Sequence, residues 1–180
     1  MKSNITKLNF ILIALCAAWT IQSCTEERGN SYTSKTKVNA DGLAFIKTAH
    51  EAGLVEIEAS KIAKKNSTNS QVTAFADMMI TDHEALGKVV DTLAAQKFVS
   101  VVDHVNHDDR IKLDSFAKKT GPEFDKAYME MMVADHEGAV ELFKDGKESN
   151  YTAIRNVADD AFPKLEDHLK QAKSVQASLK

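Results

Sequence analysis

Apolar residues recur three or four positions apart over long stretches of this chain, and this spacing constrains the fold more than any other feature. It is strictest in the segment 70–96, through Val72, Phe75, Met79, His83, Leu86, Val90 and Leu93. Such spacing puts one residue per turn on a single helix face, as in the seam of a helical bundle. Glycine and proline, which the many turns of a β-sandwich or barrel require, number only 7 and 2 in 180 residues. The pattern therefore predicts an all-α fold.

Short polar breaks divide the helical pattern into four long segments. We predict long helices over about 41–65, 70–96 and 122–147, and a fourth from Asn150 onward. Residues 97–108 show no clear period, and a short helix is predicted over 109–119. Two tight connections and one long connection, between the second and third long helices, are typical of a ferritin-like four-helix bundle rather than an up-down bundle.

The N-terminus has the pattern of an export signal. Lys2 and Lys7 provide positive charge, and an almost entirely apolar run follows from Leu8 to Trp19. We therefore predict a signal peptide over residues 1–23. The following Ile21-Gln22-Ser23-Cys24 resembles the site cut by lipoprotein signal peptidase, after which the cysteine carries the lipid. An ordinary cleaved signal followed by a chance cysteine is the alternative.

The predicted lipid on Cys24 sets the expected location of the protein. Residues 24–38 are polar and are expected to form a flexible tether, and residues 39–180 form the bundle domain. We expect an outer-membrane-anchored lipoprotein that faces the periplasm or the cell surface. Its membrane partner would be engaged through Cys24, while no feature of the sequence indicates a protein partner.

Charge and motifs exclude several function classes. The formal net charge is −3, from 23 basic and 26 acidic residues, and a nucleic-acid partner is not expected without a basic surface. The sequence has no glycine-rich phosphate loop and no nucleophile elbow, and it offers no cysteine and histidine pair once the signal is removed. Catalysis without a metal therefore has little support.

Five ionisable residues fall on or beside the predicted inner faces. Glu56 shares its helix stripe with Phe45 and several alanines, and His83 and His168 lie within the seams of the second and fourth helices. On the third helix, Asp135 is expected near the centre of the apolar arc and His136 on its shoulder.

The levels of these residues along the bundle predict a cluster. Counted from the turn near Ser67, Glu56 and His83 differ by about 7 Å along the axis, and their side chains lean toward each other on antiparallel helices. The sequence therefore predicts that Glu56, His83, His136 and His168 converge at mid-bundle. Asp82 and Asp135 are expected as outer partners that orient the imidazoles.

The chain resembles the exported bacterial domain-of-unknown-function 4142 family over about residues 41–173. The resemblance is carried by Phe45, Ala49, Gly53, Glu56, Ile57 and Ala63, by Phe75-Ala76, Met79 and Asp82-His83, by Gly121, Phe124-Asp125, Tyr128 and Asp135-His136, and by Pro163, Leu165 and His168. It implies a ferritin-like helical bundle at the outer membrane or in the periplasm, and it supplies no activity.

Three interpretations of the cluster remain open. The favoured one is a buried structural network that fixes helix register in a non-catalytic envelope protein. The first alternative is a site for a transition metal, zinc, iron or copper, held by Glu56, His83, His136 and His168. A carboxylate-bridged di-iron site is not expected, because Ile80 and Leu165 stand where its Glu-x-x-His motifs need glutamates. The second alternative is an apolar small ligand held between helices.

Overall fold

The computed structural model describes residues 37–179, and all regular secondary structure in that range is helical. The five helices are α1 (Ala40–Asn66), α2 (Ser70–Gln96), α3 (His107–Phe116), α4 (Gly121–Lys147) and α5 (Thr152–Ser178). The all-α prediction is confirmed. The predicted signal peptide, Cys24 and most of the predicted tether lie outside the described residues. None of the described helices has an apolar stretch long enough to cross a membrane.

Asparagine side chains begin three of the helices. The side chains of Asn39, Asn69 and Asn106 accept hydrogen bonds from backbone N–H groups in the first turns of α1, α2 and α3. These caps satisfy donors that a helix start leaves without a partner. At α4, Pro122 occupies the first turn, and Gly121 before it adopts the left-handed φ of 59° that favours glycine.

The four long helices pack in a closed ring, in which α1 contacts α2 and α4, and α5 contacts α4 and α2. The Asn66 side-chain amide donates to the carbonyls of Ala117 and Lys119, so α4 begins beside the end of α1. The Ser178 hydroxyl donates to the Gln71 side chain, so α5 ends beside the start of α2. Helices α2 and α4 therefore run in the same direction, and residues 97–120, including α3, return along the bundle as the long connection.

Two apolar cores fill the interior. The core near the α1–α2 turn contains Phe75, Met79, Phe124, Tyr128, Met132 and Ala172. The core toward the other end contains Phe45, Ile46, Val90, Phe143, Ile154 and Leu165. On each long helix a buried ionisable residue lies in sequence between the two sets: Glu56, His83, His136 and His168. These four residues form a polar layer across the middle of the bundle.

Candidate metal centre

Each long helix contributes one side chain to the polar layer: Glu56 from α1, His83 from α2, His136 from α4 and His168 from α5. Their exposed fractions are 2%, 4%, 0% and 2%. The ring centroids of the three histidines are 5.4 to 5.5 Å apart in every pair. The histidines therefore form a nearly equilateral triangle in the interior.

One nitrogen of each imidazole is held by an oxygen acceptor. His83 Nδ1 donates to Glu56 Oε2 at 3.0 Å, and His136 Nδ1 donates to the backbone carbonyl of Met132 at 2.9 Å. His168 Nε2 donates to Asp82 Oδ2 at 2.9 Å. Such contacts fix the ring orientation and leave the lone pair on the other nitrogen.

The second nitrogen of each ring has no partner. His83 Nε2, His136 Nε2 and His168 Nδ1 are buried without a hydrogen bond, as is Glu56 Oε1. One nitrogen from each of the three rings lies within 4.8 Å of the other two. Buried polar atoms are normally hydrogen-bonded, so four unsatisfied atoms in one layer are unusual. Three imidazole lone pairs in one place match the donor set of a transition-metal site with an open position.

The electrostatics of the layer keep two of the rings neutral. Burial lowers the pKa of His136, and repulsion from His83 lowers it further. Burial also lowers the pKa of His168, and its hydrogen bond to Asp82 offsets only part of that shift. Since metals bind the deprotonated nitrogen, both rings are in the form that coordinates at neutral pH.

Glu56 and His83 behave as a pair. Burial alone would raise the pKa of Glu56, but attraction to His83 and the hydrogen bond between them bring it below its usual value. Burial alone would lower the pKa of His83, but Glu56 brings it above its usual value. The Glu56 carboxylate is therefore ionised, and its negative charge faces the triangle of histidines.

The structure gives Glu56 and Asp82 different roles. Glu56 was expected as a fourth ligand, but it lies outside the group of mutually close ligand atoms, behind His83. Asp82 orients His168 and also accepts a hydrogen bond from Lys164 Nζ at 2.8 Å. Sequence reasoning missed Lys164, because it lies on the solvent side of α5 and reaches the site only through Asp82.

The expected positions of Asp135 and His136 are reversed. His136 is fully buried, while Asp135 is only partly buried and makes no hydrogen bond or ion pair with a histidine in the part of the chain described. Burial raises the pKa of Asp135 to about 6, and repulsion from Glu56 and Asp109 adds to the shift. The role expected for Asp135, to orient an imidazole, therefore stays a prediction that no contact among the described residues supports.

The other histidines stand apart from the cluster. His104 and His107 are exposed on the long connection, as expected. His50 is buried on α1, and both of its nitrogens are paired, Nδ1 with the Asp91 carboxylate at 2.8 Å and Nε2 with the Val102 carbonyl. His50 joins α1 to α2 and to the connection, and it has no nitrogen left for a ligand.

Two cavities approach the polar layer from opposite sides. One, of about 450 Å³, lies between α1 and α4 and is lined by Glu56, His83 and Asp135 among others. The second, of about 220 Å³, lies between α2 and α5 and is lined by Asp82, His83, Lys164 and His168 among others. The cluster is thus buried but close to space that opens at the surface.

A family model for a domain of unknown function, DUF4142, matches residues 29–175. The chain belongs to the DUF4142 family. The DUF4142 model covers the described bundle except the last residues of α5, and its description assigns no activity. The likeness stated from the sequence motifs is confirmed.

A solved structure shares the fold of this DUF4142 chain. It is the crystal structure of a DUF305 fragment from Deinococcus radiodurans, with a TM-score of 0.69 over 79% of this chain and 99% of that chain. The two sequences are 8% identical, so the likeness concerns the fold alone. No curated protein matches the sequence significantly.

Proposed function

We propose that this DUF4142 protein binds one transition-metal ion through His83, His136 and His168. The observation that carries the proposal is the convergence of three buried imidazoles, each with one nitrogen held by an oxygen and the other without a partner. A network that served only to fix helix register would gain by satisfying those nitrogens, since each unmade buried hydrogen bond costs about 1–3 kcal/mol. An ion would satisfy all three at once.

Charge balance favours a divalent ion at this position. Glu56 and Asp82 each hold one imidazole from outside the triangle, and together they carry two negative charges. A divalent ion bound by neutral imidazoles would be compensated by Glu56, and in part by Asp82, whose charge is shared with Lys164, without being bonded to either carboxylate. Burying an uncompensated charge is strongly unfavourable, so this pairing lowers the cost of holding the ion away from water.

The donor set selects the class of metal. Imidazole nitrogen suits zinc, iron and copper, and it is a poor donor for calcium and magnesium. Tetrahedral zinc bound at about 2.0–2.1 Å places its nitrogens roughly 3.4 Å apart, so small ring rotations would close the triangle on the ion. Only one glutamate reaches the layer among the described residues, which leaves a carboxylate-bridged di-iron centre unsupported.

Elemental analysis of the purified protein tests the proposal. After exposure to a panel of zinc, iron and copper salts and removal of loose ions, we expect about one equivalent of one metal per chain. His136→Ala should abolish retention, because it removes the most deeply buried ligand. His50→Ala is the matched control, since it also removes a buried histidine and should retain the metal.

The measured metal content distinguishes a metal site from a purely structural network of buried polar residues. Less than about a tenth of an equivalent of every metal would overturn the metal site and leave the network as the interpretation of the layer. Equal loss of metal in both variants would point to general destabilisation, and a thermal melt of each metal-free variant identifies that case.

We also propose that the protein is an exported lipoprotein, anchored to the outer membrane through Cys24. Support comes from the charged and apolar N-terminus and from the Ser23-Cys24 pair, since the peptidase requires a small residue before the cysteine. Cys24→Ala should leave the protein unlipidated and shift its mass and its membrane fraction. An unchanged mass and an unchanged membrane fraction would contradict the anchor.

A further inference from the structure

The cavity between α1 and α4 exists because small residues face each other across it. Ala49, Ala52 and Gly53 line it from α1, and Ala134, Gly138 and Ala139 line it from α4. A methyl group placed on Gly53 or on Gly138 would meet nothing within 4 Å. The two helices are therefore separated by open space at this level of the bundle.

The inner end of the cavity reaches the polar layer. Glu56 and His83 both line it. Glu56 Oε1 is buried and has no hydrogen-bond partner, while its other oxygen accepts from His83. The cavity thus ends at a carboxylate oxygen that makes no hydrogen bond and lies 3.6 Å from Nδ1 of His136, one of the proposed ligands.

Apart from His83 at its inner end, every ionisable side chain that lines the cavity is acidic. Glu51, Asp109 and Asp135 join Glu56, and the neighbouring base Lys112 is already paired with Asp109 at 2.7 Å. The cavity on the other side of the layer has mixed charge, because Lys164 lines it together with Asp82 and Asp160. A cleft lined by one sign of charge attracts the opposite sign and raises the rate of its arrival. The occupant that fits the α1–α4 cavity is therefore a small cation, rather than an anion or an apolar molecule.

We propose that the α1–α4 cavity is the passage through which a divalent cation reaches the histidines. Asp135 attracts the ion at the opening, where Lys112 offsets the charge of Asp109, and Glu56 receives the ion beside His83. The acidic residues of the opening act on arrival and do not ligate the bound ion. This inference rests on the proposed metal-binding function and adds the route by which the ion reaches the histidines.

Rapid mixing of the metal-free protein with Co²⁺ tests the passage, because the absorption of the bound ion reports both the loading rate and the final occupancy. At low ionic strength, we expect Asp135→Asn to slow loading by about tenfold, within the 10- to 1000-fold range of electrostatic steering. The equilibrium dissociation constant should stay within about threefold. Asp160→Asn, at the surface of the other cavity, is the matched control and should leave the rate unchanged.

A second variant tests the space itself. Gly138→Leu should narrow the passage and slow loading by at least about tenfold at any salt concentration, whereas the Asp135→Asn effect should disappear at high salt. Thermal melts verify that each variant is folded.

The outcomes distinguish the two proposals. If the wild-type protein reaches no stoichiometric occupancy, the metal site itself fails. If occupancy is complete but neither Asp135→Asn nor Gly138→Leu slows loading, the passage is overturned and the site survives. If Asp135→Asn abolishes binding at equilibrium, Asp135 is a ligand and the passage is also overturned.

Discussion

His50 and the three clustered histidines are all buried, but their surroundings differ in one respect. Both nitrogens of His50 face an oxygen acceptor, one from Asp91 and one from the Val102 carbonyl. Each ring of the cluster has only one such acceptor, and its other nitrogen is buried without a hydrogen bond. A histidine that completes its hydrogen bonds acts as a structural link, whereas three close histidines with incomplete hydrogen bonds have the nitrogens that the proposed metal site requires. The favoured structural interpretation of the cluster therefore describes His50 better.

The largest expected difference is in thermal stabilisation by metal. At an ion concentration about 100 times the dissociation constant, binding stabilises the folded state by about 2.7 kcal/mol. A melt of the wild type should therefore shift upward by roughly 5–10 °C. His50→Ala should show the same shift from a lower starting point, and His136→Ala should show none. An equal upward shift of the melting temperature in His136→Ala would contradict the assignment of His136, and not His50, as a metal ligand.

A second difference concerns the metal-free protein. His50→Leu removes the two contacts that the buried ring makes with the Asp91 carboxylate and the Val102 carbonyl. The free energy of unfolding should fall by about 1–3 kcal/mol. His136→Leu replaces a ring that already has an unsatisfied nitrogen, so its cost should stay below about 1 kcal/mol. Denaturant melts in the presence of a chelator measure both values. An equal cost for the two variants would mean that the cluster is satisfied without metal.

The pH dependence of binding sharpens the role of Glu56. Because Glu56 raises the pKa of His83 above its usual value, His83 keeps its second proton to a higher pH than a free imidazole does, and the ion must displace that proton where it is present. Affinity should therefore rise with pH, by about tenfold per unit below that raised pKa, and level off above it. Calorimetric titrations at pH 6, 7 and 8 measure this slope. Glu56→Gln removes the attraction between the carboxylate and His83, so the affinity should change less with pH. An unchanged slope would mean that the displaced proton comes from another group.

The smallest expected effect is that of Lys164. Its ammonium is paired with Asp82 and lies on the solvent side of His168, so it repels a bound cation weakly. Lys164→Met should tighten metal binding by about two- to threefold, equivalent to less than about 1 kcal/mol for a screened surface charge. Lys61→Met, which breaks the exposed pair with Glu58, is the control and should have no effect. Weaker binding in Lys164→Met would instead show that Lys164 is needed to hold Asp82 in place.

Much of the fold follows from local sequence signals. The predicted bounds of the second helix, 70–96, coincide with α2, because a regular seam fills the segment and Asn69 caps its start. The short helix was expected over 109–119 and instead spans His107–Phe116. Its cap, Asn106, follows an irregular apolar stretch, where periodicity gives no signal for a helix start.

The site was harder to predict in detail than the fold. Side-chain lean on antiparallel helices was enough to expect contact between Glu56 and His83, and their atoms lie 3.0 Å apart. The order of Asp135 and His136 depends on how α4 sits against both α1 and α5, and a helical wheel at 100° per residue carries no such information. Hydrogen bonds to a carbonyl, such as that of His136 with Met132, are invisible to residue patterns because every residue has a carbonyl.

The proposed ligands are divided unequally between the two helical hairpins. The α1–α2 hairpin supplies His83 and its partner Glu56, and the α4–α5 hairpin supplies His136 and His168. Neither hairpin alone presents three imidazoles, so tight capture of an ion requires that both have docked. The ion would then act as a cross-link between distant parts of the chain, and its binding free energy would be folding free energy. A chain that begins unfolded and free of metal would in this way acquire its ion only after its two halves had come together.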